Sequence, residues 1–358
     1  MPTLINEIDW GEPILPFVED RKWKNQVKHE LGGACPDLMM IVSPSEWLRT
    51  ACLRWPRYEV QEFPQRLADI ATLVCAQENA CRYCYGVARA QLKLFGYSEK
   101  LINRIEKGLH LAELDEKERT FIQFCRNLSR SSPRPPKKER DKLVDLGYSE
   151  LAVTEMAFYI ANHCFVNRTA TFLSCPLFNK LESLSASFLG KIFRPFIAKK
   201  IRNTSWNNTE PLPDDISNYS GVIQSLNGLP AASVINDAMV GAFASDVLSR
   251  ELKVLMFAVV ARALECQFCL SESKNMANDL GIDEEEFNNA LASLSSHRLN
   301  EQEAKLFTWT RETVHFETGD IQRRIRILAS EIDNVVLLEA IGVASLANTI
   351  VRLAVLLG

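Results

Sequence analysis

From Glu62 onward, apolar residues recur at helical spacing almost without interruption. Between Gln65 and Ala80 they fall at Leu67, Ile70, Ala71, Val74 and Cys75, a single buried stripe. Helix starts are marked by Gly96-Tyr97-Ser98-Glu99, Leu114-Asp115-Glu116-Lys117-Glu118 and Gly147-Tyr148-Ser149-Glu150. Each sets a Ser or Asp cap before acidic first-turn residues and an apolar-periodic run. The alternation of a strand is almost absent. Residues 1–60, with Trp10, Gly11, Pro13, Pro16, Gly32, Gly33, Pro36, Pro44 and Pro56, read as an irregular lead-in with short helices. The expected fold class is all-α.

The pattern is written twice. Adding 185 to Cys81, Cys84, Gly96, Ser98, Leu114, Asp115 and Glu118 gives Cys266, Cys269, Gly281, Asp283, Leu299, Asn300 and Glu303, and each role is kept. After one deletion the offset becomes 184, and Glu155 and Arg168 fall on Glu339 and Arg352. The chain therefore divides into a lead-in (1–39), a first helical unit (40–178), a linker (179–224) and a second unit (225–358), each unit of ordinary domain size. Within the linker, 206–215 has the Asn/Pro/Asp composition of a connection. Before it, Phe188 to Arg202 is basic and amphipathic. It reads as an interdomain helix, broken or kinked at Pro195, whose apolar face packs on a unit. A membrane-surface helix is the less favoured alternative.

Composition adds bounds. With 47% hydrophobic and 24% charged residues and a net charge of −4, the chain has the make-up of a soluble globular protein and gives no support to a nucleic-acid partner. The start lacks a basic head and apolar run, and no ~18-residue uninterrupted apolar stretch occurs; the best, Val254 to Leu264, is broken by Arg262. Ten scattered cysteines fit a reducing cytoplasm.

The chemistry-bearing motif is Cys81-Arg82-Tyr83-Cys84, with Cys266-Gln267-Phe268-Cys269 as its second copy. Two cysteines three apart share a helical face, and serve as a redox couple, half of a zinc site or core packing. A thiol attacks as thiolate, which Arg82 and Arg89 favour in the first pair and Glu265 and Glu272 oppose in the second. Asp69 and Glu78 are upstream acids able to shuttle protons. A Cys₄ zinc site fits poorly, because compact sites separate their pairs by ~15–20 residues. No metal or cofactor is called for.

These residues resemble the alkylhydroperoxidase D and carboxymuconolactone decarboxylase (AhpD-like) family: an apolar helix, C-x-x-C, a Gly-x-Ser/Asp helix start and a closing helix ending in Asn-Arg. The resemblance covers roughly 40–178 and 225–358 and implies two tandem AhpD-like domains. Redox members carry an acid, eleven residues, the two cysteines, three residues, then a histidine. Asp69 stands at the acid position and Asn79 at a frequent Asn, but Ala88 replaces the histidine. In the second unit Val254 replaces the acid and Ser273 the histidine.

The resemblance implies that Cys84 attacks a hydroperoxide and Cys81 resolves it to a disulfide, which a dithiol reductant or lipoyl-type adaptor protein reduces. It also implies a symmetric homo-oligomer. The expected function is an antioxidant thiol–disulfide oxidoreductase or weak organic-hydroperoxide reductase centred on Cys81/Cys84, with the second unit largely structural. The alternatives are a helical scaffold that has lost its catalytic histidine and, behind it, a decarboxylase of the family's other branch. His163, on a helix apolar on almost all sides, is the candidate replacement base, against a plain core histidine. Glu155/Glu339 and Arg168/Arg352 are expected to be structural, as ion pairs or caps within each unit. His29, His110, His297 and His315 are expected to be solvated.

Overall fold

The structure, a computed structural model, describes residues 5, 8, 10–107, 114–130, 137–206, 211–213, 216 and 219–357. It is all-α. Three short helices open the chain, α1 (Arg21–Glu30), α2 (Asp37–Ile41) and α3 (Glu46–Arg54). Then follow α4 (Gln65–Glu78), α5 (Arg82–Leu94), α6 (Glu99–Lys107), α7 (Glu116–Arg130), α8 (Lys137–Asp145) and α9 (Glu150–Phe172). A middle group holds α10 (Asn179–Ala186), α11 (Phe188–Ile192), α12 (Arg194–Arg202) and α13 (Ser220–Gln224). The C-terminal half is α14 (Ala231–Ala244), α15 (Arg250–Ala263), α16 (Gln267–Asp279), α17 (Glu284–Ser293), α18 (Glu301–Glu312), α19 (Thr318–Ala329) and α20 (Asn334–Leu353). Among the described residues the only β-type pairing is one isolated bridge, Tyr58 to Trp206.

The caps sit where local chemistry puts them. Ser98, Asp115 and Ser149 accept from the backbone N–H of Leu101, Glu118 and Ala152 at 3.2, 2.7 and 3.0 Å. In the C-terminal half Asp283 accepts from Glu286 at 2.8 Å, and Asn300 and Glu303 form a reciprocal capping box.

The centre of the molecule is the pair α9 and α20, both apolar on nearly every face and packed on each other. A helix of that kind has no solvent side and must be enclosed. α4 packs on α5, α7 and α9, while α15 packs on α16, α18 and α20. The segment 334–357, with mean hydropathy 1.9, is long and apolar enough to cross a membrane, yet 94% of its best 18-residue window is buried in the core. Its length escapes a search for uninterrupted apolar runs because Glu339 and Arg352 lie within it.

Those buried charges correct one expectation. Among the described residues, Glu155 and Arg168 do not pair with each other, and neither do Glu339 and Arg352; the contacts of Arg168, Glu339 and Arg352 also cross between the two halves. Glu339 accepts from Ser45 Oγ at 2.8 Å and Trp47 Nε1 at 2.7 Å. Arg168 donates to the carbonyls of Thr313 and Val314, and Arg352 to that of Ser129. Thr313 lies 184 residues beyond Ser129, so the two arginine contacts are reciprocal. Glu155 stays within the N-terminal half, accepting from Tyr58 Oη at 2.8 Å and from the N–H groups of Gln61 and Glu62. Burying an ion costs free energy that its hydrogen bonds offset, so these groups tie helices together at defined registers; Arg352 Nη2 alone among their charged-group atoms is buried without a partner among the described residues.

A second correction concerns 188–202. The break falls at Phe193, with Pro195 in the first turn of α12, where its missing N–H costs nothing. The apolar residues divide: Ile197 and Ile201 face the N-terminal half as expected, whereas Phe188 is 75% and Phe196 71% exposed. Residues 179–206 fold back on the N-terminal half, where Trp206 N–H donates to Arg57 O at 2.8 Å. The expected connection at 207–210 and 214–215 lies outside the described residues, as does His110. His29, His297 and His315 are exposed, as their polar surroundings imply.

Candidate functional site

α4 ends at Glu78 and the chain turns sharply into α5. Ala80 makes the turn with φ +49°, a conformation that a residue carrying a Cβ enters only when held there. It is held from two sides. Asn79 Oδ1 accepts from Arg168 Nη1 at 2.6 Å, and the Ala80 carbonyl accepts from Thr318 Oγ1 at 3.0 Å. Cys81 is then the N-cap of α5, its sulfur accepting from the Cys84 N–H at 3.3 Å. The same turn recurs at the second pair. Glu265 has φ +55°, and the Cys266 sulfur caps α16 by accepting from Cys269 N–H at 3.4 Å.

The surroundings of the two pairs differ. Cys84 lies on the wall of a cavity of about 600 Å³ that also reaches Cys52, Asp69, Thr72, Ala88 and His163. Cys81 is fully buried behind it and is not part of the wall. α12 closes one side through Ile197, Lys200, Ile201 and Arg202, and α10 contributes Phe178, Leu181 and Leu184 with the approach to that helix. At the second pair, Val254, Phe257, Ser273 and Ala347 stand at the positions corresponding to Asp69, Thr72, Ala88 and His163. The fully buried Tyr219 packs there, its ring 5.1 Å from Phe257 and its hydroxyl 2.6 Å from Ser273 Oγ. Three polar positions have become apolar, and an aromatic ring lies among them.

The electrostatics of the first site are not those expected of an activated thiol. Arg82 pairs with Glu182 at 3.3 Å, an approach that Gly86 permits, since a Cβ there would meet Glu182 Oε1 at 2.1 Å. Arg89 donates to Glu99 and Asn103 and pairs with Glu106 at 3.1 Å. With both guanidiniums engaged by carboxylates, burial dominates. It pushes the Cys84 thiol well above its ordinary value, helped by the hydrogen bond with Cys81 and the neighbouring Cys175 and Cys52.

Asp69 is not free to shuttle protons either. Arg202 grips both its oxygens at 2.9 and 2.5 Å, Tyr97 Oη donates to it at 2.9 Å and Gln65 Nε2 at 3.1 Å. The Arg202 guanidinium also lies 3.9 Å from the Phe95 ring centroid, which favours a cation. Glu78 is likewise occupied, by Arg126 and Arg130.

His163 does face the cavity. Its Nε2 is 3.3 Å from Thr72 Oγ1, and its ring stacks edge-on with Tyr159 at 4.6 Å. Burial lowers its pKa from 6.5 to about 4. So weak a base holds a thiol proton poorly, because proton transfer needs the two pKa values to be comparable. The same depression has a stability consequence. Folded His163 stays neutral while the unfolded chain binds a proton below pH 6.5, so its contribution is complete above pH 6.5 and is lost as pH falls toward 4. The loss expected is roughly 3 kcal/mol at ~1.36 kcal/mol per pH unit. Urea unfolding at pH 7 and pH 4 should show His163→Leu losing about that much less stability than wild type; equal losses would place the acid sensitivity elsewhere.

The motif spacing locates Cys81, Cys84 and Asp69. Arg202 and Cys52 carry no signal of their own, Arg202 being 133 residues from the carboxylate it grips. Among the described residues, no group of three His, Cys, Asp or Glu side chains is placed to hold a metal. The ten cysteines are free thiols, and Cys75 and Cys125 touch at 3.3 Å. No family model, curated protein or solved structure matches this chain.

Proposed function

We propose that the chain is a tandem of two AhpD-like helical units, of which the first is a thiol–disulfide oxidoreductase that reduces organic hydroperoxides slowly, in a reducing cytoplasm. The observation that carries this reading is the placement of the first pair: Cys84 on a cavity wall and Cys81 directly behind it as the cap of the same helix. The Cys84 thiolate attacks the hydroperoxide O–O bond, forming an S–O bond and releasing the alkoxide, which leaves as the alcohol after protonation. Cys81 then displaces hydroxide from the Cys84 sulfenic acid, giving the disulfide and water. A dithiol donates two electrons and two protons to restore both thiols. The reciprocal contacts of Arg168 and Arg352 and the matched turns at 80 and 265 support the duplication.

The scaffold reading retains support from the raised Cys84 thiol and the occupied Asp69. A titration of free thiols against defined dithiol buffers separates the two readings. The redox reading expects two thiols to be lost together and reversibly in wild type and neither in Cys84→Ser. A full complement of ten thiols across the whole range in wild type would leave the scaffold.

A further inference from the structure

An exposed apolar surface lies beside this cavity. Phe188, Leu189, Ile192, Phe193 and Phe196 fall at spacings of one, three, one and three residues, so they form one stripe along α11 and into α12, and each is more than half exposed. The stripe is rigidly mounted. Ser187 caps α11 by accepting from Gly190 N–H at 2.9 Å, and Gly190 is pressed on α10, where a Cβ would come within 1.8 Å of the Leu184 carbonyl.

Charge says what covers it. Between Ser183 and Trp206 there are five basic residues and no acidic one, in a chain of net charge −4. Lys191, Arg194, Lys199 and Lys200 are exposed around the stripe. A second copy meeting this face about a two-fold axis would set these cations against their own counterparts. An apolar stripe flanked by cations is instead the pattern of a helix lying in an anionic lipid interface, with its aromatics in the acyl boundary and its lysines at the headgroups. The other side of α12 forms the cavity wall, through Ile197 and Ile201.

We infer that α11 and α12 dock this protein on an anionic membrane surface and bring the cavity that α12 walls next to it, so that the hydroperoxide reaching Cys84 is one carried by a lipid. The substrate half rests on the redox reading above; the docking half does not. Flotation of the full chain with vesicles of phosphatidylcholine, alone or with about one third phosphatidylglycerol, tests the docking. Binding should require the anionic lipid, weaken with salt, and fall at least ~10-fold in Phe188→Ser/Phe193→Ser/Phe196→Ser, whose folding is checked by circular dichroism. Absence of wild-type binding overturns the proposal, as does binding that the triple substitution leaves unchanged. Self-association without vesicle binding, lost in the triple variant, overturns it in favour of a second copy.

The substrate half is read by comparing a phospholipid hydroperoxide held in those vesicles with tert-butyl hydroperoxide in solution. The triple variant should lose turnover of the first and keep that of the second. Equal retention of both overturns the lipid substrate. Vesicle binding with no turnover of either hydroperoxide upholds the docking and rejects the redox reading.

Discussion

Replacing Cys84 by serine should reduce hydroperoxide turnover to the rate without protein, a fall of at least ~10³-fold wherever wild-type activity is measurable. Serine keeps the size of the side chain but cannot supply a thiolate. Cys81→Ser should behave differently, because Cys84 still faces the cavity. One hydroperoxide should be consumed per chain, leaving a sulfenic acid that a dimedone-type reagent traps. The wild-type rate should also rise about tenfold per pH unit from neutrality toward pH 9, since burial holds the Cys84 thiol well above its ordinary value and the thiolate fraction grows with pH. A plateau already at pH 7 would mean that the thiolate is stabilised by a group not identified around it. Trapping on Cys81 in place of Cys84 would reverse their roles.

The features legible in the sequence are those decided within about one helical turn. Ser98, Asp115, Ser149, Asp283 and Asn300 cap helices because a short polar side chain reaches an N–H two or three residues on. The break before Pro195 and the face shared by Cys81 and Cys84 are equally local. Contacts across the fold were not legible. Arg202 reads as one more charge in a basic run until folding carries it to Asp69. Periodicity shows that Phe188 to Phe196 share a side but not whether that side meets protein or solvent, because an amphipathic stripe records only that one face differs from the other. The filled second site was half legible. Val254 shows that the second pair has no carboxylate where the first has Asp69, while the ring that packs there comes from Tyr219, on a separate segment with left-handed backbone at φ +53°.

Supplying the missing base should raise turnover in the first site. Ala88 is one turn beyond Cys84 on the same face and lines the cavity, so Ala88→His sets an imidazole beside the thiol with space to accommodate it. A positioned general base contributes ~10²–10⁴ in rate, and at least ~10-fold is expected here in kcat/KM for a small organic hydroperoxide with a dithiol reductant. Arg202 limits the gain, because it holds both oxygens of the carboxylate that would orient the new ring. Ala88→His with Arg202→Gln should therefore exceed Ala88→His alone, whereas Arg202→Gln alone should change little. Ser273→His in the second unit should do nothing, as Val254 offers no acid and Tyr219 packs against that position. If His163 already serves as the base, His163→Leu will lower the wild-type rate but not that of Ala88→His. If Ala88→His stays folded, keeps its redox-active pair and gains no rate with or without Arg202→Gln, proton removal from Cys84 is not what limits this site.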